Sequence, residues 1–134
     1  MLVVETYIGK STISGMGLFA AEDIPEGTVM WVFDPRIDRV IRQEEMSDAP
    51  ELVLEYIDKY AWVGSDGHWH IGIDNDKFCN HSVNPNKGFV HEDNTFVALR
   101  DIAKGEEITE DYSTYCSGFE EFNFVRSADE LCTK

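Results

Sequence analysis

Two polar clusters in this chain carry side chains able to bind, orient or stabilise charge. Asn80-His81-Ser82-Val83-Asn84-Pro85-Asn86 offers amides, an imidazole and a hydroxyl in one short run. Glu106-Glu107-Ile108-Thr109-Glu110-Asp111-Tyr112 follows about twenty residues later and ends on a phenol. Both lie in or beside apolar segments, where a small domain builds its core, so their hydrogen bonds must be satisfied internally. That combination marks the centre of a site. His81 has two ring nitrogens, which either hold a neighbouring loop through its backbone or touch a ligand. Pro85 restricts Asn84 to extended backbone. A phenol titrates at about 10, so at neutral pH Tyr112 orients an amine or stabilises developing charge without taking a proton.

Other chemistries find less support. Glu106, Glu107, Glu110 and Asp111 read as a solvated acidic rim or as the source of an acid–base pair. Adjacent strand residues point to opposite faces, which argues against a glycosidase-like pair. Nothing marks Ser82 as a nucleophile elbow, and no Ser-His-Asp triad can be assigned. Ser14-Gly15-Met16-Gly17 lacks the register and the Lys-Ser/Thr ending of a phosphate loop. Its glycines let the backbone approach a ligand, or simply form a β-turn. His68, His70 and His91 are scattered, and Cys79, Cys116 and Cys132 lack C-x-x-C spacing. No metal site and no disulfide framework is expected.

The elements that must position these groups are mostly short strands. Residues 2–8, Leu18–Ala21, Thr28–Phe33, Trp69–Ile73, Phe89-Val90 and Thr95–Leu99 read as strands by β-branched, aromatic or alternating composition. Gly9–Gly17, Asp23–Gly27, Gly64–Gly67, Glu92–Asn94 and Ala103–Glu106 read as turns. One helix is predicted over Ala49–Tyr60, with Asp48 as cap, Pro50 in the first turn and Glu51 completing a capping box. Its Leu52, Val53, Tyr56, Ile57 and Tyr60 form a stripe assigned to the core. A weaker helical stretch covers Arg39–Met46. The pattern describes a mainly β domain with small helices, α+β in class, without a βαβ series.

At 134 residues and 43% hydrophobic, the chain is expected to form a single domain over 1–134. The opening Met1-Leu2-Val3-Val4 is too short for a signal peptide or membrane span. A cytoplasmic or nuclear, not secreted, protein is expected. Eleven Lys and Arg against twenty-six Asp and Glu give a formal net charge of −15. That balance disfavours nucleic acid and anionic membranes and favours a basic, lysine-containing protein or peptide, or serves solubility alone.

Three segments together resemble the SET domain, the family of S-adenosylmethionine-dependent protein-lysine methyltransferases. They are Gly15-Met16-Gly17-Leu18-Phe19-Ala20, Asn80-His81-Ser82 with Pro85-Asn86, and Gly105-Glu106-Glu107-Ile108-Thr109 with Asp111-Tyr112. The resemblance runs from about Thr6 to Tyr115. It implies small curved β-sheets with a C-terminal pseudoknot, an insert around 34–67 and a tail over 113–134. It also implies that Gly15, Met16, Gly17, Asn80, His81 and Tyr112 contact S-adenosylmethionine, with S-adenosylhomocysteine as product. Tyr112 is the implied catalytic residue. Tyr60, Trp62, Glu110 and Tyr115 fall on the substrate side, and Phe119 and Phe122 of the tail fold over the adenine or close the core. A homodimer built on the motif-poor region is compatible with this reading. The alternative is a SET-like module that binds cofactor or peptide with little catalysis.

Two departures from the family pattern stand out. Val83 occupies a position where many relatives have a zinc-binding cysteine, and the tail lacks the cysteine cluster that completes that site, so no zinc is expected. Glu110 stands two residues before Tyr112, where the family usually has Phe or Tyr. A carboxylate there can bind a water or the substrate ammonium, or disturb the channel. Substrate choice is left to the region Asp34–Gly67.

Overall fold

The computed structural model describes residues 1–116 apart from Ser65, His91 and Asn94, and the side chains of Tyr115 and Cys116. The strands are β1 (Thr6–Lys10), β2 (Met16–Ala20), β3 (Val29–Val32), β4 (Arg39–Ile41), β5 (Trp62–Val63), β6 (Trp69–Ile71), β7 (Asn80–His81), β8 (Lys87–Val90), β9 (Thr95–Ala98) and β10 (Glu107–Glu110). The α-helices are α1 (Glu51–Tyr60) and the single turn α2 (Ser113–Cys116), and 3-10 helices cover Gln43–Met46 and Asn75–Phe78. Three small sheets result, ordered β1-β2-β10-β7, β3-β9-β8 and β4-β6-β5. The architecture is the expected mainly β one with small helices. No helix among the described residues is long and apolar enough to cross a membrane.

The sheets bury their apolar side chains in three clusters. Leu18 and Ala20 of β2, Met30 of β3 and Ile108 of β10 are fully buried with Ile24 and Ile102. Trp31, Trp62 and Phe96 form an aromatic cluster, with edge-to-face contacts of Trp31 to Trp62 and Phe96 at ring separations of 5.3 and 5.7 Å. Ile41, Ile57, Trp69 and Ile71 pack with Tyr112 under the third sheet. The last described strand, β10, enters between β2, antiparallel to it, and β7, parallel to it.

Several local expectations are corrected. The turn expected over Gly9–Gly17 is narrower, because β1 and β2 stay paired through Gly9 with Gly17 and Lys10 with Met16. Arg39–Met46 is no helix: the β-branched Val40 and Ile41 pair with His70 and Trp69 of β6, and only the residues after Arg42 coil into a 3-10 turn. Asp48 does not cap α1, since Pro50 takes the N-cap position without a side-chain hydrogen bond. The predicted α1 stripe is mostly exposed, with Leu52 at 77%, Val53 at 43% and Tyr56 at 45%. Of that stripe Ile57 and Tyr60 do face the core, on a ridge with Leu54 and Ala61. Helical spacing identifies both ridges, and packing on β6 selects between them. Ile73 does not continue the Trp69–Ile71 strand and is 60% exposed.

Asn86 anchors β10. It is 1% exposed. Its Nδ2 donates to the Glu107 carbonyl at 2.8 Å, and its Oδ1 accepts from the Thr109 N–H at 2.8 Å. One side-chain amide thus stands in for a peptide group. Asn86→Ala leaves a backbone donor and a backbone acceptor buried without partners, each costing about 1–3 kcal/mol. We predict a loss of about 2–4 kcal/mol in urea unfolding; a change below about 0.5 kcal/mol, the range of ordinary surface substitutions, would contradict the anchoring role.

Candidate functional site

The first motif is fixed by a polar clamp. Gly15 turns the β1–β2 hairpin with φ 49, and Ser11 N–H bonds the Gly15 carbonyl at 2.9 Å. Asn80 of β7 reaches this turn: its Nδ2 lies 3.1 Å from the Ser14 carbonyl, 3.2 Å from the Met16 carbonyl and 2.9 Å from Glu107 Oε1. The same Glu107 carboxylate accepts from Ser11 Oγ at 2.8 Å. A Cβ on Gly17 would stand 2.3 Å from Glu107 Oε1, so a side chain there would push the Glu107 carboxylate away from Asn80 and Ser11. Gly15 and Met16 stay exposed on the rim of an open cleft of about 230 Å³, whose walls include Asn80, Tyr60, Lys77 and Tyr112. Glu107 and Ser11 are the residues that sequence reasoning missed here. Glu107 was legible only as part of an acidic rim.

The second motif converges on Tyr112. Its backbone N–H donates to His81 Nδ1 at 3.1 Å, and the two rings lie 5.3 Å apart. His81 therefore holds the neighbouring backbone. With Nδ1 acting as acceptor, a neutral ring carries its proton on Nε2. The Tyr112 hydroxyl donates to the Cys79 carbonyl at 2.5 Å. Cys79 itself is buried and donates from Sγ to the Ile108 carbonyl at 3.2 Å, and burial pushes its thiol well up. It is not poised as a nucleophile.

Tyr112 also lines a small cavity of about 40 Å³, whose other walls include Tyr60, Trp62, Asp76, Phe96 and Glu110. Tyr60, Lys77, Cys79 and Tyr112 belong to both this cavity and the larger cleft. Tyr60, Trp62 and Glu110 are thus brought together with Tyr112. Trp62 packs in the aromatic core as well as lining the cavity. The Tyr115 side chain, Phe119 and Phe122 lie outside the described residues.

Glu110 is 5% exposed and does not stand as an isolated charge. The fully buried ammonium of Lys87 lies 2.5 Å from Glu110 Oε1, pairs with Asp76 Oδ1, and sits 4.7 Å from the centre of the Phe96 ring. Burial opposes the Lys87 charge, but Asp76 and Glu110 outweigh it and hold the ammonium well above its ordinary value. Burial raises the Asp76 carboxyl to about 6, Lys87 pulling it down and Glu110 pushing it up. Neither Asp76 nor Lys87 was singled out from the sequence. A lysine between an asparagine and a glycine carries no local signal of burial.

The family model for the SET domain matches residues 15–113. The fold is similar to that of the Neurospora SET domain protein DIM-5, a histone lysine methyltransferase, at TM-score 0.59 and 19% identity, covering 83% of this chain and 53% of that one. It is similar to Polycomb Repressive Complex 2 of Chaetomium thermophilum, in a humanized mutant form, at TM-score 0.59 and 25% identity, covering 81% of this chain and 15% of that one. A Plasmodium falciparum chain provisionally described as a histone methyltransferase matches at TM-score 0.58 and 23% identity, covering 81% of this chain and 93% of that one. No curated protein matches the chain in sequence at a significant level.

The charge network makes a direct prediction. Carbon-detected NMR titration should place the Asp76 carboxyl at about 6, against an ordinary 3.8. Lys87→Met should move it higher, because the ammonium is what lowers it. Since the native value lies above the unfolded one, Asp76 is protonated more readily in the folded chain. Its contribution to stability therefore falls as pH rises between those two values and is constant above them. A native midpoint at the ordinary value would contradict the buried network.

Proposed function

The chain belongs to the SET-domain family, and on that premise we propose that it transfers methyl from S-adenosylmethionine to a lysine of a basic protein, histone tails being segments of that kind. The observation that carries this reading is the meeting of two cavities at one phenol. The cleft along Gly15 and Met16 and the small cavity at Glu110 are both walled by Tyr112, Cys79 and Tyr60. Transfer between two separately bound molecules needs sites that touch at one point, with the reacting groups aligned there.

The larger cleft fits the cofactor. Gly15 brings bare backbone to its rim, Asn80 holds the turn still through the Ser14 and Met16 carbonyls, and Lys59 and Lys77 supply cations suited to a carboxylate. Gly15, Met16, Gly17, Asn80 and His81 would hold the cofactor. When bound, it supplies an electrophilic methyl on a sulfonium.

The chain's own residues then orient the amine. The Tyr112 hydrogen is committed to the Cys79 carbonyl, so its oxygen presents only acceptor lone pairs. It can take an amine N–H and stabilise positive charge, and it has no role as a proton donor. Tyr60 and Trp62 wall the passage of the lysine stem. The cavity, about 40 Å³, exceeds the roughly 10–15 Å³ that one water needs, so it has room for an amine head. Desolvation favours the neutral amine that attack requires. Outside the site, a net charge of −15 favours encounter with a basic segment.

Labelled methyl transfer from S-adenosylmethionine to basic lysine-containing peptides and intact histones tests the reading. We expect lysine methylation by the wild type. In Tyr112→Phe we expect kcat to fall by about 10²-fold or more, with cofactor affinity retained. Confirmed cofactor binding without transfer to any basic protein, or full turnover in Tyr112→Phe, would overturn it.

A further inference from the structure

Resting on that reading, we propose that Lys87 is a positioning residue of the transfer site. Its buried ammonium, clamped between Asp76 and Glu110, holds the Glu110 carboxylate in the cavity wall beside Tyr112 and reduces the net charge of this cluster, as an incoming amine meets it, from two negative charges to one.

Among the described residues Lys87 is the one buried lysine or arginine, and at 0% exposure it is enclosed more fully than either carboxylate. Asp76 and Glu110 line the cavity, whereas Lys87 is not part of the lining. It acts from behind them. Burying an ammonium costs several kcal/mol, which only close and well-placed partners offset; here both partners face the place where a second ammonium, that of the substrate, must arrive. Two uncompensated carboxylates would bind that ammonium strongly and keep it protonated, the wrong state for attack. With Lys87 between them, one positive and two negative charges leave one net negative charge. That is enough to attract a cationic lysine, with a weaker hold on its proton.

The titratable groups lining the cavity are Asp76, Lys77 and Cys79 from the 3-10 helix and its end, Glu110 and Tyr112 from the C-terminal motif, and Tyr60 from α1. Of these, Lys77 also contacts the ring of Phe78. Lys87 is distinguished from all of them by joining the two carboxylates directly.

The test uses n-butylammonium as a probe of the lysine head, with 1-pentanol as its neutral counterpart. Both are titrated into the full chain and followed by NMR at Tyr112 and Cys79. The wild type should prefer the ammonium. Lys87→Met should bind it about tenfold more tightly and Glu110→Gln about tenfold more weakly, with pentanol affinity unchanged in both. Lys87→Met should also shift the rise of kcat with pH upward, and adding Glu110→Gln to it should return that limb toward the wild-type position. A merely structural lysine would move neither the ammonium-over-pentanol preference nor the pH limb. Folded Lys87→Met and Glu110→Gln with wild-type preference would therefore overturn the proposal. If Lys87→Met does not fold, Glu110→Gln decides alone: unchanged preference overturns the proposal, and lost preference supports it. Ammonium preference without methyl transfer to any protein would retain the positioning role and remove the proposed activity. Methyl transfer without the preference would do the reverse.

Discussion

Seating β10 between β2 and β7 is the constraint on which the rest of the structure depends. A strand that arrives late in the sequence must bury both edges against partners from the first and middle parts of the chain. Regular pairing satisfies only part of its backbone. The remainder falls to side chains: Asn86 bonds Glu107 and Thr109, while Asn80 ties Glu107 to the glycine turn. A hydrogen-bonded polar core of this kind has few alternative arrangements, because each unmade bond carries the full desolvation penalty of its group. The polar residues that define the site and those that define the fold are therefore largely the same residues.

This explains how rigid placement is obtained from short elements. β7 has two residues and β10 has four. Yet Tyr112, two residues after β10, is fixed at three points: its N–H on His81, its hydroxyl on Cys79 and its ring in the apolar cluster beneath the third sheet. His81 and Cys79 flank Asn80, so the clamp on the glycine turn and the clamp on the phenol come from consecutive residues. A shift of β7 would disturb both sides of the site together.

Much of this was legible in the sequence, for a physical reason. The motifs at Gly15–Ala20, Asn80–Asn86 and Gly105–Tyr112 combine unusual side-chain chemistry with turn residues, and both signals are local. The mainly β class followed from composition. What failed were decisions made by packing. Helical spacing on α1 is shared by an exposed ridge and a buried one, and only the position of β6 selects Leu54, Ile57 and Ala61. Val40 and Ile41 became a strand because β6 was there to pair with them. Lys87 was invisible because burial of a charge is a property of its distant partners, not of its neighbours in sequence.

Glu110 illustrates the same point in the chemistry of the site. Taken alone, a carboxylate where the family resemblance leads one to expect an aromatic ring looks like a defect in an apolar passage. In the structure it belongs to a set with Lys87 and Asp76, contributed by β10, β8 and a 3-10 helix. Losing one member leaves the others under-compensated at a cost of several kcal/mol, whereas together they form a compact ion cluster roofed by the Phe96 ring. An aromatic residue at this position would leave Lys87 with Asp76 alone and remove a charge from the cavity wall. Glu110 is thus one member of a buried ion cluster with Lys87 and Asp76, and under the proposed activity its effect on an incoming amine follows from the cluster's net charge, not from the glutamate alone.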